Sequence, residues 1–331
     1  MRLRFALPLL ILLGAAAAGA YLNSPTPAVR EGALVVDVPM QAGVATIAQR
    51  LREAHAVRTE WGFLALATVR GSARRLKAGE YDIPRGASTL DVVRLLESGR
   101  VRQHPVLHPE GATVSELART LEAARLARAD DVTRIAADPA FLTTHGIEGS
   151  TAEGYLFPDT YQFVRGMKVE EILGRMVQRM RAKLTPEMVA RAKALGLSVH
   201  QLLTLASIVE REAAVPEERT LIAGVFWNRL QIDMPLQADP TVQYAVKKER
   251  SRLTRADLQT DHPYNTYRHA GLPPGPIASP GLGAIDAALD PAPVNYLYFV
   301  AVAPDNPRHH FSTTVEEHNA AVARYRSSRS Q

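Results

Sequence analysis

Residues 201–213 read QLLTLASIVEREA, and this stretch decides how the rest of the chain is organised. Ser198-x-x-Gln201 just before it is a capping box, which opens a helix. With Leu205 at zero and about 100° per residue, Leu202 falls near 60°, Ile208 near 300°, Val209 near 40° and Glu212 near 340°. Glu212 therefore lies in the middle of the apolar stripe, while Glu210 falls near 140°, about 160° away, beside Leu203. A carboxyl group on a buried face is expensive to ionise, so its pKa should rise. A protonated Glu in a half-buried cleft is the usual general acid for breaking a glycosidic bond. The competing expectation is that Glu212, at the helix end, turns out to solvent beyond Ala213.

The chain around this helix is of ordinary globular composition: 331 residues, 46% hydrophobic and 22% charged, which excludes wholesale disorder. Thirty-nine Lys and Arg against 34 Asp and Glu give +5. Arg2 and Arg4 precede an apolar run, which leaves about +3 spread over the remaining chain, too little for a nucleic-acid partner. Without cysteine, disulfide scaffolds, thiol catalysis, iron–sulfur clusters and Cys-based zinc sites are excluded. No phosphate-binding or dinucleotide glycine motif and no nucleophile elbow is present. His262, His269, His309, His310 and His318 lack metal spacing and are expected on surfaces or turns, and no metal or cofactor is expected.

Phe5–Leu22 (FALPLLILLGAAAAGAYL) carries no charge and follows Arg2 and Arg4, which suits a single membrane-crossing helix with its basic flank inside. A cleaved signal peptide is the alternative, because the Ala/Gly-rich second half offers cleavage sites. Both readings export everything after Asn23. NSPTPAVR (23–30) then reads as a short linker, residues 23–31.

An α+β fold follows from two folded regions. Residues 32–103 hold a strand at Leu34–Val38, helices over Val44–Ala54 and Trp61–Val69, a strand within Ala78–Gly86, and a Ser88-capped helix Thr89–Leu96 ended by Gly99. This small α/β module carries no catalytic pattern and suits binding or spacing. Residues 104–331 are mainly helical: capping boxes at Thr113/Glu116 and Thr313/Glu316, an amphipathic Val169–Leu184, and Thr185-Pro186 opening another helix. Asp130-Asp131 marks a helix start. A short antiparallel pair, Tyr296–Val302 and Arg308–Phe311, comes near the end, and the tail after Tyr325 is expected to fray.

Between the central helix and that pair, LQADPT holds Gln237, Asp239 and Thr241, and YNTY holds Tyr264, Asn265 and Tyr267. Five of the ten tyrosines (Tyr244, Tyr264, Tyr267, Tyr296, Tyr298) fall between residues 244 and 298. Tyr faces and amides on rigid loops suit pyranose rings and N-acetyl groups. Tyr296 and Tyr298 also read as core-strand residues, and Asp239 before Pro240 as a helix N-cap.

The set EGYLFPDTY (153–161), LASIVERE (205–212), FWNRL (226–230), LQADPTVQY (236–244), TRADL (254–258), YNTYR (264–268), GLPPGPIASPG (271–281) and YLYFV (296–300) resembles the YceG-like family, the MltG-type membrane-anchored endolytic murein transglycosylases. The similarity spans nearly the whole chain in order. It implies a membrane helix at 1–22, a LysM-like module at 32–103 and a catalytic domain at 104–331, exported to the periplasmic side of the inner membrane. It also implies cleavage of nascent peptidoglycan strands internally, with the second acid of the E-x-E pair, Glu212, as the catalytic residue. Ala213 departs from the Thr or Ser that often follows that glutamate. Glu212 would protonate the oxygen between N-acetylmuramic acid and N-acetylglucosamine, then act as base on the muramic 6-hydroxyl. Gln237, Asp239, Thr241, Tyr264, Asn265 and Tyr267 are the expected substrate contacts. Implied partners are glycan strands, the membrane and the peptidoglycan synthases. The rival readings are a non-catalytic glycan-binding scaffold and a hydrolytic muramidase, which would need a second carboxylate at a set distance.

Overall fold

The computed structural model describes residues 34–84, 86–248 and 251–328, together with 13–14, 16–21 and 24. The expected anchor Phe5–Leu22 and linker 23–31 lie mostly outside these residues. Among the described residues no single helix is long and apolar enough to cross a membrane.

The chain divides into two compact units, one running to Pro105 with Gln162–Met167, the other comprising Val106–Tyr161 and Lys168–Gln331. In the first unit, strand β1 (Leu34–Val38) is followed by helices α1 (Val44–Glu53) and α2 (Glu60–Val69), strand β2 (Gly79–Ile83) and helix α3 (Thr89–Ser98). β1 and β2 pair antiparallel, from Leu34 opposite Ile83 to Val38 opposite Gly79. That register turns Val36, Val38, Tyr81 and Ile83 onto one core with Ile47, Leu51, Phe63, Val92, Val93 and Leu96. Ser88 and Asp91 satisfy each other's backbone N–H groups at the start of α3, and Gly99 closes it in the left-handed region (φ 68°).

Strand β3 (His104–His108) pairs with β4 (Asp159–Phe163), and Val106–His108 and Asp159–Tyr161 of these strands belong to the second unit. Between these strands lie α4 (Val114–Ala123), α5 (Ala129–Ala136) and α6 (Pro139–Thr144). After them come α7 (Val169–Lys183), α8 (Pro186–Ala194) and α9 (Val199–Glu212). A 3₁₀ turn at Pro216–Glu218 leads to α10 (Arg219–Gln231), then α11 (Asp239–Ala245), α12 (Arg255–Leu258) and α13 (Leu282–Leu289). The antiparallel hairpin β5 (Tyr298–Ala303) and β6 (Asn306–Ser312) precedes α14 (Val315–Ser328).

α9 is the centre of this unit. Its Ser198–Gln201 capping box is formed, and it packs against α8, α10, α11 and α13. Every residue from Leu202 to Val209 is buried, so the helix is enclosed on all sides rather than along one stripe.

Three details differ from the sequence expectations at the carboxyl end. The last helix is opened by Thr314, whose Oγ1 accepts from the N–H of Glu317, not by Thr313 with Glu316. It continues to Ser328, past Tyr325. The strand starts at Tyr298 rather than Tyr296, and none of its residues is fully buried. YLYFV is therefore half-covered wall rather than core.

Candidate active site

The three residues that end α9 have three different roles. Glu210 is 7% exposed at its side chain and accepts from Arg219 Nη2 at 3.2 Å and from the N–H of Gly281 at 3.0 Å. Burial raises its pKa, opposed by those same contacts. Arg211 donates to the carbonyl of Gly111 at 3.1 Å. Glu212, half-buried, has no hydrogen-bond partner among the described residues and lines two cavities of about 460 and 540 Å³. Loss of water, then the negative charge of Asp239, push its pKa up to about 8, with Arg211 and Arg229 opposing. The helical wheel expected burial to separate the two acids. Both are desolvated, and hydrogen bonding separates them instead: Glu210 is saturated, Glu212 is free to exchange a proton with a ligand.

The first cavity is lined by Glu110, Gly111, Glu210, Arg211 and Gln243, besides Glu212, Asp239 and Pro240. The second is walled by Arg229, Gln237 and Tyr267 on one side and by the β5–β6 hairpin and α14 on the other. Glu212 and Asp239 line both, so the two cavities meet at this pair of carboxylates.

Asp239 is not an N-cap: it is itself the first residue of α11, with Ala238 as the cap and no side-chain capping bond. Its Oδ1 accepts from Tyr267 Oη at 2.6 Å. Burial and this carboxylate raise the Tyr267 pKa, keeping the phenol protonated. Gln237 is exposed at the cavity wall, with φ 50° and its N–H donating to the Thr266 carbonyl.

The other three expected contacts are turned into the framework. Thr241 is fully buried, donates to the Ala238 carbonyl at 2.7 Å and shares a hydrogen bond with Thr266 Oγ1 at 2.8 Å. Asn265, also fully buried, donates to the carbonyls of Leu258 and Thr260 and accepts from the N–H of Tyr267. Tyr264 packs on Tyr244 and His262 rather than lining either cavity. These residues fix the loop that aims Gln237, Asp239 and Tyr267.

GLPPGPIASPG contributes in the same manner. Its irregular backbone is satisfied from outside: Ser207 Oγ accepts from the N–H of Ile277, Glu210 from that of Gly281, and Ser279 exchanges backbone bonds with Gly111 and Ala112. Gly154 of EGYLFPDTY has φ 77°, and a Cβ there would come within 2.2 Å of Pro276, so only glycine allows this approach.

Arg229 escaped the sequence reading. Its side chain is buried on α10 and donates to the carbonyls of Leu297, Pro235 and Leu236, tying the hairpin and the LQADP loop to one helix. The guanidinium also lies 5.3 Å from the centre of the Tyr298 ring. An Arg in the mostly apolar VFWNRL (225–230) was the available signal. His309 and His318, expected on surfaces or turns, are half-buried in the wall of the second cavity. His309 pairs with buried Glu218 at 2.7 Å, and His318 stacks on Tyr298 with ring centres 5.2 Å apart.

The assembly is thus two cavities that share a desolvated acid without a hydrogen-bond partner among the described residues and a second carboxylate, with aromatic residues in the wall of one of them. The YceG-like family model matches residues 36–324. An endolytic murein transglycosylase of Bacillus subtilis is 33% identical, over 97% of this chain and 93% of its own length. The protein of that name from Streptococcus pneumoniae serotype 2 is also 33% identical, over 97% of this chain but 65% of its own length. The crystal structure of a YceG-like protein from Listeria monocytogenes matches with a TM-score of 0.62 and 32% identity, covering 87% of this chain and 98% of that one. From residue 36 to residue 324, across both units, the chain belongs to the YceG-like family.

Proposed function

We propose that this protein is an endolytic murein transglycosylase, which cuts peptidoglycan glycan strands internally without water. The observation that carries the proposal is Glu212: desolvated, unpartnered and placed where two halves of a cleft meet. An acid with a pKa near 8 is protonated at neutral pH and can give its proton to a departing sugar oxygen. Space on both sides of it suits a strand that continues in both directions. In the second half of the reaction the Glu212 carboxylate accepts the proton of the muramic 6-hydroxyl, which attacks the anomeric carbon and closes the 1,6-anhydro ring. That hydroxyl, attached to the reacting sugar, has a high effective concentration and outcompetes water. No cofactor enters this scheme. Gln237, Asp239 and Tyr267 would contact the strand directly, while Thr241, Tyr264 and Asn265 would hold the loops that present them.

The test is a pair of variants acting on purified glycan strands. Glu212→Gln should abolish cleavage with the fold intact. Glu210→Gln should cleave at a reduced rate, because it weakens the grip on Gly281 and Arg219 without removing the acid. Full activity in Glu212→Gln overturns the assignment.

Asp239 is the observation that favours a second reading, a retaining muramidase with Asp239 as nucleophile. Such an enzyme would leave hydrolysed reducing ends. A non-catalytic scaffold is disfavoured, since binding alone does not call for a desolvated, unpartnered acid.

The β-α-α-β order of the first unit, with its strands antiparallel, supports a LysM-like module that engages glycan or sets the distance of the cleft from the membrane. The charge-free Phe5–Leu22 run behind Arg2 and Arg4 supports an inner-membrane anchor with the cleft on the periplasmic side, near the synthases. The full-length protein should then fractionate with membranes and resist high-salt extraction. Recovery of a soluble exported form beginning near Asn23 would establish a cleaved signal peptide instead.

A further inference from the structure

Among the described residues the two cavities share two, Glu212 and Asp239. Glu212 has the proton the leaving oxygen needs, so the scheme above gives Asp239 contact with the strand but no part in the bond changes. Asp239 is exposed at the cleft, yet its geometry is fixed. The N–H of Ala238 donates to Thr266 Oγ1 at 3.0 Å, the N–H of Gln237 to the Thr266 carbonyl, and Tyr267 Oη to Asp239 Oδ1 at 2.6 Å. Oδ2 is left without a partner among the described residues, on an exposed side chain that lines both cavities. An ionised carboxylate only accepts hydrogen bonds, so it selects a donor on the ligand. Because Asp239 and Glu212 flank the same point, that donor must lie close to the bond being broken. On an N-acetylated amino sugar two donors come near that bond, and since the 6-hydroxyl gives its proton to Glu212, the acetamido N–H beside the anomeric carbon is the one left for Asp239.

We propose that Asp239 is the positioning residue of the reaction: it takes the acetamido N–H and so aims the acetyl oxygen at the anomeric carbon. The inference rests on the transglycosylase reading and deepens it. In the first step the acetyl oxygen forms a bond to the anomeric carbon, the bond to the leaving oxygen breaks, and that oxygen receives the proton of Glu212. The resulting cyclic oxazolinium cation lies against the Asp239 carboxylate. In the second step the sugar's 6-hydroxyl oxygen bonds to the anomeric carbon, its proton passes to Glu212, and the acetyl oxygen leaves with its electron pair. The acetamide and the acid are regenerated, and no water, oxidant or other co-reactant is consumed.

Asp239→Asn separates this role from a structural one, because Asn keeps the shape and an acceptor for Tyr267 while losing the charge. In the full-length protein, kcat on polymeric glycan strands should fall about 10²-fold with KM changed by less than about threefold. A thiazoline derivative of an N-acetylated amino sugar mimics the cyclic cation and needs no turnover. Calorimetry should show it binding the wild-type protein and binding Asp239→Asn at least about tenfold more weakly. Near-wild-type kcat in Asp239→Asn, or no thiazoline binding by the wild type, overturns the proposal. So does a glycosyl azide formed by Asp239→Ala in azide, which would make Asp239 the nucleophile. These results are distinct from failure of the transglycosylase reading, in which the wild-type protein itself would leave only reducing ends.

Discussion

Glu210 and Glu212 are two positions apart on one helix, both lose water, the pKa values of both carboxyls are pushed up, and their different partners set how much of that cost is offset. With Oε1 and Oε2 bonded to Arg219 and Gly281, Glu210 regains on ionisation only part of what burial takes away, and its pKa stays raised. Glu212 has no such compensation, and the nearby Asp239 charge adds to its cost, against a smaller relief from Arg211 and Arg229. The alkaline limb of kcat/KM should therefore lie near the Glu212 value of about 8. Stability carries the same signature. Below its ordinary value of 4.5 Glu212 is protonated in both folded and unfolded chains and contributes nothing. Between 4.5 and about 8 the unfolded chain releases the proton while the folded one retains it, so stability falls as pH rises through this window. Glu212→Gln should match the wild-type thermal midpoint at about pH 4 and exceed it above about pH 8. Equal midpoints at both pH values would contradict the desolvated acid.

At the scale of elements, α9 was legible because its instructions are local: a capping box, helical spacing and a run of apolar residues. The site around it was legible only as motifs. Thr241, Tyr264 and Asn265 have the chemistry of sugar ligands, but the Thr241 and Asn265 side chains are consumed in satisfying backbone carbonyls and Tyr264 packs on Tyr244 and His262. Asp239 and Tyr267 differ from them only in facing the cleft, which spacing along the chain does not encode. Arg229 and His309 depend on contacts 68 and 91 residues away in sequence, Arg229 to Leu297 and His309 to Glu218, and His318 stacks on Tyr298 across the hairpin. The packing of GLPPGPIASPG on α9 rests on Ser207, whose hydroxyl is fully buried. Ser207→Ala leaves the N–H of Ile277 without an acceptor and should cost about 1–3 kcal/mol. A lower denaturant midpoint at unchanged slope would show it; an unchanged midpoint would mean the loop is held independently of α9.

At the scale of the whole molecule, the second unit alone supplies every residue of the cleft. The first unit has its own core and is free to serve another purpose. The central claim is that the cleft breaks a glycosidic bond and closes a ring on the sugar it leaves behind. The most direct measurement is mass spectrometry of fragments released from purified glycan strands in isotopically labelled water. Fragments from internal cuts should end in 1,6-anhydro-muramic acid, lighter by one water than hydrolysed ends and free of heavy oxygen. Reducing ends carrying the label would contradict that claim and assign the cleft to a hydrolase.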